Sequence, residues 1–270
     1  MNRVAVVTGA ARGIGAATVR GLAAAGWSVV AVDRASDDPR LPYAMGTEAE
    51  LDSVVAQAMS ARPEGGASHA EVVAHKADTT DPVGLGAAVA LAEERFGGLD
   101  AMVAVAGVIA GGVPLWEMPA DQLGAVLGVD LGGPITAARV GIPALLRRDA
   151  PRHGRFLAVA SAAATRGLLH LTAYGAAKAG VAGLVRGLAV ELADTGVTAN
   201  AISPGSTATP ILDESARLYD LADAQAFAGQ QPIKRLLSPD EVAAALVWLA
   251  GPDSSALTGA VIPVDGGLSL

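Results

Sequence analysis

Short apolar runs recur along the whole chain, and most are continuous rather than alternating with polar residues. A strand that is covered by helices on both faces buries every side chain, so continuous runs predict the strands of a parallel sheet. The runs are VAVVT (4–8), SVVAV (28–32), EVVAH (71–75), AMVAVA (101–106), RFLAVA (155–160), VTANAI (197–202) and VIPV (261–264).

Stretches of helical composition separate these runs. They cover 15–25, 48–59, 82–96, 121–146, 172–193 and 239–250. Asp81 and Ser238 are predicted N-caps, because each is a short polar residue followed by proline at the first helical position. This alternation predicts an α/β fold, a single-domain, Rossmann-like, doubly wound parallel sheet of about seven strands with helices on both faces, over residues 1–270.

Two connections are longer than the rest. Residues 34–47 form a polar, proline-containing connection after the second strand. Residues 204–237 follow the sixth strand and carry several large apolar side chains, so we expect an insertion on the substrate side of the domain. Long connections in compact domains are often functional lids, and a helical insertion packed on the surface is the alternative.

Composition narrows the class of protein. The chain of 270 residues is 51% hydrophobic and 17% charged, so it can build a large core. Its net charge of -8, without a cluster of Lys and Arg, disfavours a nucleic-acid partner. The opening MNRVAVVTGA is too short for a signal-peptide core, and the uncharged window 101–116 is broken by Gly and Pro. No leader and no membrane span are therefore predicted, and we expect a cytoplasmic protein.

No metal site is expected. The chain has no cysteine, which excludes disulfides and thiolate ligands. Its histidines, His69, His75, His153 and His170, lack the spacing of a ligand set.

A glycine-rich turn follows the first strand in VAVVTGAARGIGAATVRG. Gly9 suits the tight turn, Gly13 lets backbone approach a pyrophosphate, and Gly15 lets the next helix pack closely on the strand. The free N–H groups and the positive dipole end of that helix then face the phosphates. Glycine triplets are common in turns, but here a predicted strand precedes the triplet and a predicted helix follows it, as dinucleotide binding requires.

Asp33 ends the second strand and bears on the choice of cofactor. A carboxylate there can accept hydrogen bonds from both hydroxyls of an adenosine ribose and repels a 2′-phosphate, so NAD is predicted over NADP. Arg12 and Arg34 act in the opposite direction, because either guanidinium could meet a 2′-phosphate.

Other chemistry-bearing residues also follow strands. Asp78, Gly107, Ser161 and the stretch SPGSTAT (203–209) all lie where a predicted strand ends. The carboxyl ends of parallel strands share one edge of the sheet, and ligands of open α/β sheets bind along that edge. These residues are therefore expected on the same rim as the glycine turn.

Tyr174 and Lys178 are four residues apart, so a helix places them on one face. Ser161 closes the fifth strand, where it can face them from the sheet. An ammonium near a phenol favours the phenolate and lowers a pKa that is otherwise near 10. A buried tyrosine with a snorkelling lysine is the structural alternative, but it does not explain why the serine and the glycine turn share their rim.

Together these motifs resemble the compact single-domain branch of the short-chain dehydrogenase/reductase family. TGAARGIG, the aspartate closing strand two, ADTTD, the serine thirteen residues before YGAAK, SPGSTAT and the terminal VDGG match in order from about residue 4 to 268. The resemblance implies Tyr174 as acid/base, Ser161 as a holder of the substrate oxygen and Lys178 on the nicotinamide ribose. Residues expected to bind NAD are Gly9, Arg12, Gly13, Ile14, Gly15, Asp33, Arg34, Asp78, Thr79, Ala106, Gly107, Tyr174, Lys178, Pro204, Gly205, Thr207 and Thr209.

The segment VIAGGVPLWE and the long region after strand two are similar to actinobacterial members associated with mycofactocin. That resemblance implies a nicotinamide held without ready exchange and a redox carrier peptide as a further partner. Family members are commonly tetramers, and a homo-oligomer is expected here. The expected helix interface is formed by the small residues Gly180 and Gly183 and the apolar residues Val181, Leu184, Val185 and Leu188.

Two positions depart from the family pattern. Ala104 and Val105 stand where the family usually has asparagines. The polar links that those side chains would make between neighbouring strands are therefore expected to be lost there. Asp130 stands where the family has an asparagine on the long fourth helix. A carboxylate there would stabilise the ammonium of Lys178 and partly cancel its field at Tyr174. The basic limb of the pH–rate profile is then expected at higher pH than in an Asp130→Asn variant, unless Asp130 only makes local contacts.

Apolar residues are expected to wall the substrate pocket, which favours a lipophilic secondary alcohol or its ketone. They are Val108, Ile109, Leu115, Trp116, Leu168, Leu169, Ile211, Leu212 and Leu218. Two alternatives stay open. One is an NADPH-dependent reductase of acyl-carrier ketones, which Asp33 and the lack of a basic docking surface disfavour. The other is a dinucleotide-sensing protein without catalysis, which an intact serine, tyrosine and lysine set disfavours.

Overall fold

A computed structural model describes residues 3–60 and 70–270. Its strands form one parallel sheet of seven in the order β3-β2-β1-β4-β5-β6-β7, which confirms the predicted fold class. The order reverses between β1 and β4, which is where open α/β sheets form a ligand crevice. The strands are β1 Val4–Thr8, β2 Ser28–Asp33, β3 Val72–Lys76, β4 Ala101–Ala104, β5 Arg155–Val159, β6 Thr198–Pro204 and β7 Val261–Val264.

Helices cover both faces of the sheet. They are α1 Gly13–Ala24, α2 Glu48–Ser60, α3 Pro82–Phe96, α4 Ala120–Leu127, α5 Gly133–Arg147, α6 Thr172–Glu191, α7 Pro210–Leu218 and α8 Pro239–Ala250. One core cluster joins the sheet to α3, α5 and α6, and a second joins it to α1, α2 and α8. Successive strand residues divide between the two cores: Val6 packs in the first and Val7 in the second.

The predicted N-caps are both present. The Asp81 carboxylate accepts from the N–H of Val83 at 2.9 Å. At the start of α8, the Ser238 hydroxyl accepts from the N–H of Glu241 at 3.2 Å, and the Glu241 carboxylate accepts from the N–H of Ser238 at 2.9 Å. This reciprocal capping box satisfies two N–H groups that the helix itself cannot pair.

The long helix predicted over 121–146 is interrupted. A π-helical turn, Gly128–Gly132, separates α4 from α5. The combined stretch Ala120–Arg147 is long and apolar enough to cross a membrane by length and composition alone, but half of its most apolar window is buried inside the protein. Its packing on the sheet and on α3 is that of a core helix, so this stretch is weak evidence for a membrane span.

The expected interface on α6 needs correction. Val181 and Val185 are buried in the core of their own chain, so they cannot form a surface for a second copy. A Cβ added at Gly180 would lie 2.9 Å from the Leu131 side chain, so this glycine permits close packing on the π-helical turn. Gly183 is exposed, and a Cβ there would meet no atom within 4 Å.

The two long connections carry structure that the sequence left open. Residues 34–47 fold back over the end of β2, where Gly46 lies against Asp33. The segment 204–237 contains the short helix α7 and a 3-10 helix, Ala224–Gln230. Both segments contribute to the wall of one cavity.

Candidate active site

One cavity of about 600 Å³ lies at the carboxyl edge of the sheet. Every residue that the sequence predicted to bind NAD lines it, from the glycine turn through β4 to the segment after β6. Ser161, Tyr174, Lys178 and Asp130 line the same cavity. The rim predicted from the ends of the strands is therefore a continuous surface.

The glycine turn leaves no room for a side chain. Gly9 has a φ of +69°, and a Cβ there would lie 2.7 Å from the Cα of Ala106. Helix α1 begins at Gly13, and its N-cap residue Arg12 makes no side-chain hydrogen bond to the first turn. Uncapped N–H groups at a helix start suit an anion, so this end of the cavity fits a pyrophosphate.

Asp33 is fixed at the other end of that turn. Its Oδ2 accepts from the N–H of Ala11 at 3.0 Å, and its Oδ1 accepts from the N–H of Ala35 at 2.9 Å. Each carboxylate oxygen can accept a second bond, so the pair fits the two hydroxyls of a ribose. Arg12, beside it, donates to the carbonyl of Ala44 at 2.9 Å and so joins α1 to the segment 34–47.

Tyr43 was not predicted as a site residue, yet it joins this segment to the loop after β4. Its hydroxyl accepts from the N–H of Ile109 at 2.8 Å. Burial raises the pKa of the Tyr43 phenol above its ordinary value, so it stays protonated and is no candidate base. Its role here is to close the segment 34–47 over the cavity.

The polar link between β1 and the loop after β4 is retained in another form. The N–H groups of Val105 and Ala106 both donate to the Thr8 hydroxyl, at 3.1 and 3.2 Å. The expectation that polar links are lost here was wrong, because a threonine on the neighbouring strand supplies the acceptor. The same bonds explain why β4 ends at Ala104 rather than at residue 106.

Tyr174 and Lys178 lie one turn apart on α6, and Lys178 Nζ is 5.6 Å from the centroid of the Tyr174 ring. Lys178 is buried and donates to the carbonyl of Val159 at 3.1 Å, which ties it to the end of β5. Ser161 follows the same strand, and its hydroxyl accepts from the N–H of Ala163 at 3.1 Å. The three side chains therefore meet at one point of the sheet edge.

Burial raises the pKa of the Tyr174 phenol above its ordinary value, which the sequence did not lead us to expect. The Lys178 ammonium and a hydrogen bond with Ser161 lower that pKa, while the Asp130 carboxylate raises it. The lowering by Lys178 was predicted in direction, but burial outweighs it. A cation bound in the cavity would act in the same direction as Lys178.

Asp130 lies in the π-helical turn and is fully buried. Its Oδ1 is 3.1 Å from Lys178 Nζ and accepts from the N–H of Val108 at 3.3 Å. Oδ2 is buried and has no hydrogen-bond partner among the described residues. Burial raises the pKa of this carboxyl, and Lys178 opposes the shift. Burial likewise lowers the pKa of Lys178, but the charge and hydrogen bond of Asp130 together with the charge of Tyr174 raise it, and the net shift is upward.

The apolar wall is partly as expected. Val108, Ile109, Leu168, Leu169, Ile211 and Leu212 line the cavity. Trp116 does not: it lies in a 3-10 turn with 85% of its surface exposed. Leu115 and Leu218 also lie outside the cavity lining.

Other wall residues were missed by sequence reasoning. They include Asp38, Met45, Gly46, Arg166, Tyr219, Leu221, Phe227 and Leu268. Tyr219 donates to the carbonyl of Leu169 at 2.7 Å, and Arg166 donates to the carbonyl of Leu268. Both bonds depend on how distant segments meet, and the only signal in the sequence was the apolar composition of 204–237.

Metal ligation finds no support in the described ranges 3–60 and 70–270, which contain no group of three or more His, Asp or Glu placed to hold an ion. His75 lies instead beside the carbonyl of Gly84, at 3.3 Å. His69 falls outside the described residues.

Comparisons with known proteins cover nearly the whole chain. A family model described as Enoyl-(Acyl carrier protein) reductase matches residues 9–269. The short-chain reductase protein NovJ of Streptomyces niveus is 39% identical, over 98% of this chain and 93% of that protein. The cis-4-hydroxycyclohexanecarboxylate dehydrogenase of Sinomonas cyclohexanicum is also 39% identical, over 98% and 96%.

A solved structure agrees. The crystal structure of carveol dehydrogenase from Mycobacterium avium, in complex with NAD, matches with a TM-score of 0.90 at 27% identity, over 98% of this chain and 97% of that one. With the family model and both relatives spanning the described sheet and cavity, the chain belongs to the short-chain dehydrogenase/reductase family of oxidoreductases.

Proposed function

We propose that the protein interconverts a lipophilic secondary alcohol and its ketone, with NAD as cofactor and Tyr174 as the acid/base. The observation that carries this proposal is the meeting of the Tyr174, Lys178 and Ser161 side chains in the same cavity as the glycine turn. A sensor of dinucleotides has no use for a phenol placed beside a cation.

NAD is supported from two directions. Asp33 presents a fixed carboxylate at the end of β2, where it fits ribose hydroxyls and repels a 2′-phosphate. The carveol dehydrogenase structure contains NAD. The glycine turn and the start of α1 would hold its pyrophosphate, and Lys178 its nicotinamide ribose. When bound, NAD supplies the hydride acceptor for oxidation and, in its reduced form, the donor for reduction.

Tyr174 moves the proton in either direction. As phenolate it takes the proton of the alcohol oxygen, and as phenol it returns that proton to the oxygen of the ketone. Ser161 donates a hydrogen bond to the same oxygen, so charge that develops there meets two hydroxyl donors in a water-poor site. Lys178, held by Asp130 and the Val159 carbonyl, keeps a positive charge beside the phenol.

The substrate class follows from the wall. Leu168, Leu169, Ile211 and Leu212 give the substrate side an apolar surface that favours a compact, lipophilic alcohol. Both dehydrogenases named above act, by their names, on ring-bearing alcohols. We therefore propose a cyclic secondary alcohol, with the segment 204–237 as the cover of its pocket.

Three further expectations from the sequence stay predictions: a cytoplasmic location, a homo-oligomer, and a redox carrier peptide of the mycofactocin type as electron acceptor. The last implies slow exchange of NAD. Dissociation of a copurified dinucleotide, followed over hours of dialysis, tests that point directly.

Mass spectrometry of the purified protein under native and denaturing conditions tests the cofactor. A copurified NAD or NADH supports the proposal, whereas NADPH favours the acyl-carrier reductase alternative. A panel of cyclic and linear secondary alcohols, assayed with artificial electron acceptors, then tests the reaction. Turnover of none of them, in a protein that binds NAD, would favour the non-catalytic alternative.

A further inference from the structure

Among the residues of this cavity, Arg34 is the best placed to weaken a preference for NAD over NADP. It directly follows Asp33, lines the same cavity and is about one-third exposed. Guanidinium groups bind phosphate strongly, and a 2′-phosphate would project from the ribose that Asp33 is proposed to hold. A free Arg34 would therefore offset the repulsion by Asp33.

Arg34 is not free in the structure. Its Nη1 donates to Asp38 Oδ2 at 2.8 Å, and its Nε lies 3.7 Å from Asp78 Oδ2. The guanidinium thus lies between two carboxylates, and a third, Asp33, is its neighbour in sequence. Any phosphate that approached Arg34 would compete with the Asp38 contact and meet the other carboxylates.

Asp38 is itself held firmly. It is 2% exposed, and its carboxylate also accepts from the backbone N–H of Arg40 at 3.0 Å and from Arg40 Nε and Nη2 at 2.9 and 2.6 Å. Hydrogen bonds from Arg40 keep the pKa of Asp38 well below its usual range, so it is ionised at every physiological pH. Leu41, next along the chain, is buried in the same hydrophobic cluster as Val108 and anchors the segment.

We infer that Asp38 is a positioning residue for cofactor choice: it neutralises Arg34 and holds it away from a 2′-phosphate, so that the cavity accepts NAD and rejects NADP. The inference rests on the proposed NAD site and deepens it. Asp33 repels the 2′-phosphate directly, whereas Asp38 removes the cation that would otherwise attract it.

The test is a competition. Protein is incubated with an equimolar mixture of NADH and NADPH, and the bound ratio is read by mass spectrometry. Asp38→Asn is expected to raise the NADPH:NADH ratio by about tenfold, because it frees a guanidinium near the ribose. Asp37→Asn is the matched control, since it removes the same charge from an exposed neighbour whose carboxylate accepts from the N–H of Met45 at 2.8 Å. Its ratio should stay within about twofold of wild type.

A double variant identifies the cation. Arg34→Ala in the Asp38→Asn background should return the ratio to its wild-type value. An unchanged ratio in Asp38→Asn, an equal rise in Asp37→Asn, or a rise that survives loss of Arg34 would each overturn the inference while leaving NAD binding intact. Binding of neither nucleotide to the wild type would overturn the proposed function as well.

A second comparison avoids any folding defect of Asp38→Asn. Arg34→Ala and Arg40→Ala each remove one positive charge from the same carboxylate. If Arg34 is neutralised, as inferred, both variants should shift the ratio equally. A far larger loss of NADPH binding in Arg34→Ala would show that Arg34 already contacts the 2′-phosphate, which contradicts the inference.

Discussion

The Asp130 carboxylate lies 3.1 Å from the Lys178 ammonium, and both side chains are buried beneath the proposed reaction site. Each ion of a buried pair stabilises the other, because removing one partner leaves the other charge buried and unpaired. The Asp130 carboxylate also partly neutralises the Lys178 ammonium, the cation that favours the Tyr174 phenolate. Asp130 thus acts on Tyr174 through Lys178 as well as directly.

An Asp130→Asn variant should show a shifted pH profile. Asp130 raises the pKa of Tyr174, so its neutral replacement should lower that pKa. Ketone reduction needs the protonated phenol, and its activity should therefore fall at lower pH in the variant than in the wild type. Alcohol oxidation needs the phenolate and should begin to rise at lower pH. Rate profiles in both directions provide the measurement.

The control for that experiment is Asp121→Asn, which removes the same charge at the exposed start of α4. Its profile should match the wild type. Identical profiles for Asp130→Asn and wild type would mean that Asp130 is protonated or uncoupled from Tyr174.

Tyr174→Phe should abolish most turnover. Loss of a positioned acid/base lowers kcat by about 10² to 10⁴. NADH binding, followed by calorimetry, should fall far less than kcat, because the glycine turn, Asp33 and Lys178 would still hold the dinucleotide. Tyr219→Phe is the comparison, since it removes a phenolic oxygen whose hydrogen bond is to the Leu169 carbonyl. Equal losses of kcat in the two variants would argue against an acid/base role for Tyr174.

Gly9→Ala should damage the glycine turn. The new Cβ would meet the Ala106 backbone at 2.7 Å in a conformation with positive φ, so we expect a loss of about 1–3 kcal/mol in the free energy of unfolding. NADH binding should weaken in the same variant.

Gly86→Ala is the matched substitution inside α3, where a Cβ would meet nothing within 4 Å. It should raise the free energy of unfolding by up to about 1 kcal/mol, because alanine is the better helix former. Urea unfolding separates the two variants. Equal free energies of unfolding in Gly9→Ala and Gly86→Ala would show that a Cβ at residue 9 is accommodated beside Ala106 without loss of stability.

Ser238→Ala should weaken the start of α8 by about 1 kcal/mol, the usual worth of an N-cap. The variant loses the hydroxyl that accepts from Glu241 N–H and breaks the capping box. Ser255→Ala, at an exposed serine, should change stability by less than about 0.5 kcal/mol. A midpoint of thermal unfolding that is unchanged in Ser238→Ala would contradict the prediction.

Much of this molecule could be predicted from local sequence. The strands begin and end within two residues of their expected bounds. Continuous apolar runs that alternate with helical stretches rarely form anything other than buried strands. The meeting of Tyr174 with Lys178 was predictable for the same kind of reason, since a four-residue spacing fixes one face of a helix.

What could not be predicted depends on contacts between distant segments. Tyr43 and Asp38 lie in a connection without periodicity, and their partners are set only when the connection folds over the end of β2. The link through Thr8 was missed because it joins residues about a hundred positions apart. The π-helical turn leaves no mark in apolar periodicity, although Gly128 and Gly132 bound it.

That turn sets how Asp130 reaches Lys178. A π-helical turn holds one residue more than an α-helical turn, and each α-helical residue advances by about 100° around the axis. Deleting Gly132 would let α4 and α5 run on as one continuous α-helix, with their side chains rotated by about that angle relative to each other. Either the buried carboxylate would leave the ammonium, or the apolar stripe of α5 would leave the sheet. The reactive end of this protein therefore depends on a single inserted residue in the helical stretch that carries Asp130.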